Sequence, residues 1–199
     1  MTGIDEITGM STRDAARWRG AQTLDDLGEL TAQWLEGSIG SVPGTMPGYG
    51  PDEETGPLVP VLAAVNRSAF VTEFSQPGLN ENGWMQRAAV SGFASAGTFR
   101  ALVAAAADAD LMVTAARADG AGWGTTMAVT VHNNRETTWA GGALSLDEIQ
   151  DSYGDCCNTV AVETLCRTWQ VTLVDPQWAR HEYLWSVLQL FVARGTPAP

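Results

Sequence analysis

The chain contains no lysine: all 11 of its basic residues are arginine. A P-loop phosphate lysine, a kinase-type lysine and a Schiff-base or pyridoxal-phosphate lysine are therefore excluded. P-loop NTPases, protein kinases and lysine-dependent aldolases go with them. Histidine is nearly as scarce, with only His132 and His181. Two histidines cannot build a histidine-rich metal centre. His181-Glu182 has no second histidine four residues on, so there is no zinc-protease helix. The three cysteines, Cys156, Cys157 and Cys166, are too few for a disulfide framework. Adjacent cysteines also lack the spacing of a zinc or thioredoxin-like site. No spaced aspartate motif suggests a carboxylate metal site, and neither a metal nor a cofactor is expected. No apolar run approaches the ~20 residues that a membrane helix needs.

What is present is acid. The 23 acidic against 11 basic residues leave a net charge of −12. The arginines are scattered singly, so the basic face that direct nucleic-acid binding requires is not expected, and neither is membrane binding. With 199 residues, 45% hydrophobic and 17% charged, the composition is that of one globular domain with a full core. The expected boundaries are a flexible leader over 1–11, a domain over 12–195 and a frayed tail over 196–199. The N-terminal segment lacks the apolar centre of a signal peptide, which implies a cytoplasmic location.

Along the chain, Thr23-Leu24-Asp25-Asp26 reads as a capped helix start, with Leu24, Leu27, Leu30, Thr31 and Trp34 on one face and Gly37 as its stop. Residues 37–57 form a Gly/Pro-rich connection, an extended surface wrap or a lid. A helix then ends near Asn66, and a strand is expected over 70–74. Gln86 opens a further strand reaching Phe93, where Gly92 allows a close approach. Helices are expected over 98–109, from the Ser145-Leu146-Asp147-Glu148 capping box, over 160–167 and over 178–193. Strands are expected over 111–116, 125–132 and 169–174, with residues 119–124 as a glycine-rich hairpin loop. Interleaved helices and strands imply an α/β or α+β fold, a single mixed sheet with helices packed on it.

Candidate chemistry centres on residues 66–78. Strand alternation puts Thr72 and Phe74 on one face and Glu73 on the other. Thr72, Ser75 and Gln76 are candidate ligand-binding residues, placed where a strand runs into the turn Ser75-Gln76-Pro77-Gly78. The competing reading is a turn satisfied by its own side chains. Trp84 and Trp123 sit beside glycine in expected loops and are candidate pocket walls, whereas Trp34, Trp169 and Trp185 follow apolar patterns and belong to the core. The catalytic candidates are His132, Glu73 and Cys156. His132 leads a polar run through Glu136 that can hold a general base or form a solvated turn. Cys156 can pair with a histidine only through the fold; otherwise it is a half-buried thiol.

Four blocks together resemble a known family: residues 17–21 with 24–37, 54–66, 70–78, and 169–178 followed by Leu184-Trp185. They are similar to an uncharacterised domain family of Streptomyces-type actinobacteria. The resemblance implies a bacterial cytosolic protein and assigns no catalytic residue. The resulting expectation is a cytoplasmic protein with a small-molecule pocket, where polar or acid-base contacts without a lysine are the chemistry open to an enzyme. The alternative is a non-catalytic acidic protein, encoded on a mobile element, that meets a protein partner.

Overall fold

The computed structural model describes residues 3–195. Its helices are α1 (Thr12–Gly20), α2 (Leu24–Leu35), α3 (Val59–Asn66), α4 (Ala96–Asp108), α5 (Leu146–Tyr153), α6 (Thr159–Arg167) and α7 (Tyr183–Ala193). A 3-10 turn over Glu53–Leu58 leads into α3. The strands are β1 (Phe70–Gln76), β2 (Leu79–Glu81), β3 (Trp84–Gln86), β4 (Ala89–Ala94), β5 (Met112–Ala116), β6 (Gly122–Trp123), β7 (Met127–His132), β8 (Arg135–Ala140) and β9 (Trp169–Val174).

The class is α+β, but the strands do not form one mixed sheet. They divide into a five-stranded sheet, β1-β4-β9-β5-β6, and a four-stranded sheet, β2-β3-β7-β8. Every ladder in both is antiparallel. The expected strand from Gln86 to Phe93 is really two. Gln86 ends β3 in the small sheet, and Arg87-Ala88 carries the chain into β4 of the large one. The expected hairpin across residues 119–124 also divides: β6 turns back on β5, while β7 departs to the other sheet.

Strand alternation gives the large sheet two apolar faces. Phe70, Val90, Ala94, Val171 and Leu173 meet α3, α4 and α7, which contribute Leu62, Leu102, Leu184 and Leu188. The opposite face carries Val71 and Phe93 against α1, α2, α5 and α6, where Trp18, Leu27, Ile149 and Leu165 are buried. At one end of that face the small sheet closes over Ala89 and Val174 through Val129 and Ala140. Helices therefore cover both sides of the central sheet, and the small sheet extends one of the two layers.

Local signals build these elements as their chemistry requires. Thr23 and Asp26 form a reciprocal capping box on α2, and Ser145 and Glu148 do the same on α5. Two tight turns with left-handed residues, Asn82-Gly83 and Asn133-Asn134, shape the small sheet's hairpins. The described part of segment 1–11 is attached to the domain. Arg19 holds Asp5 through two hydrogen bonds of 2.7 and 2.9 Å, and Met10 is buried. The tail 196–199 lies outside the described residues. Among the described residues no helix is long and apolar enough to cross a membrane.

Candidate functional site

A groove of about 700 Å³ runs along the free edge of β1. One wall is the end of α2, with Trp34 and Leu35; a second is the Gly/Pro-rich connection, with Met46, Tyr49 and Asp52. The small sheet contributes the third, with Trp84, Gln86, Thr130 and Thr138. These four share one face because Gln86 pairs with Thr130 and Thr130 with Thr138. The connection is pinned to α2 by the Trp34 indole, which donates to the Tyr49 carbonyl at 3.0 Å.

β1 is held in place by Asn66, fully buried at the end of α3. Its Oδ1 accepts from the Thr72 amide at 2.9 Å, and its Nδ2 donates to Leu62 O and Thr72 Oγ1, both at 2.8 Å. Just beyond, the β1–β4 register slips: Thr72 opposes Gly92, yet Phe74 opposes Ser91. Gly92 and Ser91 are consecutive and point to opposite faces, so Thr72 and Phe74 do too. The expected alternation, with Thr72 and Phe74 together, is overturned by this bulge. The bulge leaves Glu73 unpaired and turns its side chain toward α5, where Tyr153 Oη donates to Glu73 Oε1 at 3.1 Å.

Glu73 is the electrostatically distinct group of the groove. Burial pushes its pKa up to about 7, opposed by the Tyr153 hydrogen bond. By surface area, however, Glu73 is exposed. Protein packs densely around the carboxyl while solvent reaches it through the groove opening. Tyr153 itself is buried against Phe93, edge to face at 5.9 Å, and burial holds its phenol well above the ordinary value.

The other candidates separate. Thr72, Ser75, Gln76 and Trp84 line the groove with Glu73. Ser75 and Gln76 belong to β1 rather than to a turn. Gln76 is buried, and its amide spans the two sheets. Nε2 donates to Arg87 O and Val129 O, both at 2.9 Å, and Oε1 accepts from Thr130 Oγ1 at 3.1 Å. Its polar atoms hold the groove's shape. His132 stacks on Trp84, with ring centroids 3.9 Å apart, and buttresses that wall. Trp123 is elsewhere, in an aromatic group with Phe99 and Trp169. Cys156 lies in the cluster around α1, α5 and α6. Burial raises its thiol pKa, and Cys157 is pushed up to about 12, which keeps these sulfurs in the unreactive thiol form.

No pattern in the sequence marks Tyr49, Met46 or Tyr153, and Trp34, read as core, packs against both core clusters and lines the groove as well. Asn82-Gly83 is a standard hairpin signal that would have placed Trp84 on a strand. Nothing local marks Tyr153 as the partner of a residue 80 positions away. Among the described residues no group of three or more His, Cys, Asp or Glu side chains is placed to hold a metal ion.

None of the curated proteins matches the chain. The family described as a domain of unknown function (DUF6919) matches residues 13–194, and the chain belongs to that family.

Proposed function

We propose that this is a cytoplasmic actinobacterial protein that binds a small molecule in the groove along β1, with Glu73 as the group that exchanges a proton with it. One observation carries the reading: an ionisable carboxyl in the groove with its pKa raised by burial and its orientation set by Tyr153. A carboxyl poised near neutrality in a concave site is suited to general acid-base work, because both protonation states are populated at working pH. Support comes also from the fixed frame around it: Asn66 and Gln76 spend their polar atoms on holding β1 and the small sheet, which keeps the groove open.

The test is a carboxyl-resolved NMR titration. Glu73 is expected to titrate above the ordinary glutamate range, and Tyr153→Phe, which removes the opposing hydrogen bond, to move it higher still. An ordinary midpoint in the native protein would remove the reading. The same shift has a consequence for stability. Between the ordinary value of 4.5 and its raised value, Glu73 binds more proton in the folded than in the unfolded chain. Its contribution to stability therefore falls as pH rises through that window. Glu73→Gln is expected to gain stability relative to the native chain between pH 5 and pH 8 in urea melts; parallel pH profiles would contradict the assignment.

A further inference from the structure

The geometry points to a small organic cation as the occupant of the β1 groove. This rests on the groove being a ligand site and narrows the chemistry of the ligand. Two independent features agree.

The first is sign. Among the described residues the charged side chains lining the groove are Asp52, Glu54 and Glu73, with no arginine or histidine. An anionic ligand would meet only like charge, at a cost that grows as water is displaced. A cation is the complement.

The second is the apolar surface turned into the groove. Met46, Tyr49 and Trp84 all line it, yet are 67%, 66% and 39% exposed. Exposed rings grouped in a concavity with acids form a binding surface for an organic cation, since the ring faces attract positive charge and the hydrocarbon body covers the rings.

The test uses the full chain and two probes: 2-phenylethylammonium and the uncharged 2-phenylethanol of the same ring and length. Binding is followed through tryptophan indole NMR signals. The expected result is a shift of the Trp84 signal by 2-phenylethylammonium with affinity about tenfold or more above that of the alcohol, the scale of a cation–π contact together with a charge-assisted hydrogen bond. Trp84→Ala, followed through the Trp34 indole signal, should weaken the ammonium probe. Asp52→Asn should narrow its advantage over the alcohol, a ratio read within one variant and so independent of that variant's stability. Equal binding of amine and alcohol overturns the cation assignment and leaves a ligand groove in place. If no probe moves the Trp84 signal, the cation assignment is overturned, and the Glu73 titration decides separately whether the groove is a site at all.

Discussion

Replacing Asn66 by leucine is expected to destabilise the protein by about 3–5 kcal/mol, the range for breaking a buried hydrogen-bond network. Asn66 is fully buried, and its amide makes three bonds: to Leu62 O, Thr72 Oγ1 and the Thr72 amide. Leucine keeps the same branched skeleton of four side-chain heavy atoms, so the loss reads chiefly the polar term. Thr72 would be left with an unpaired amide and hydroxyl behind the edge strand. The bond also joins the end of α3 to β1 across a sharp turn in which Ala69 takes a left-handed conformation. Releasing it frees the strand just before the Glu73 bulge. A double-mutant cycle isolates this contact: Thr72→Val should cost much less in the Asn66→Leu background than alone, because the two share the lost bond. Urea denaturation followed by tryptophan fluorescence measures both. A loss below about 1 kcal/mol for Asn66→Leu would mean that other contacts fix β1.

Much of the helical framework is legible in the sequence because its signals are local. Thr23 with Asp26 and Ser145 with Glu148 announce helix starts at three-residue spacing, and both form the expected reciprocal caps. The strand over 169–174 is legible as an apolar β-rich run because β9 is buried at the centre of the large sheet. The division into two sheets is not, since it depends on pairings between segments far apart and on strands of two or three residues, too short for any period to show. The bulge at Glu73 is invisible for a related reason. A register slip belongs to the pair of strands, and residues 70–76 alone read as simple alternation. This explains why the segment from Asn66 to Gln76 stood out and was yet misread in detail. Its polar residues are unusual for a buried strand, but Asn66 and Gln76 spend theirs on the scaffold, and Glu73 faces the groove. The groove is assembled from residues as distant as Trp34, Tyr49, Glu73 and Trp84, so no local motif contains it.

Gly92→Ala is expected to be a severely damaging single-methyl addition, costing about 3 kcal/mol or more, at or beyond the upper end for overpacking a well-filled core. A Cβ at Gly92 would stand 2.2 Å from Val71 O and 2.8 Å from Thr72 Cα. Both are main-chain atoms, so no side-chain rotation relieves the clash. β4 cannot yield, being paired on its other side with β9 through six consecutive residues. β1, the edge strand, must move away, and it carries Glu73 with it. Loss of stability and loss of the site are therefore coupled. The Glu73–Tyr153 bond should break, and the carboxyl, drawn away from the protein packed around it, should titrate back toward the ordinary glutamate range. Ser91→Ala is the control one residue away: it removes a hydroxyl paired with Thr172 at 2.8 Å and should cost about 1 kcal/mol with the Glu73 titration unchanged. Thermal melts and the carboxyl titration of the two variants distinguish the outcomes. A Gly92→Ala protein as stable as the native one, with Glu73 still titrating high, would show that the close approach of β1 to β4 does not hold the bulge in place. In that case the position of the carboxyl would have to be set by Tyr153 and Asn66 alone.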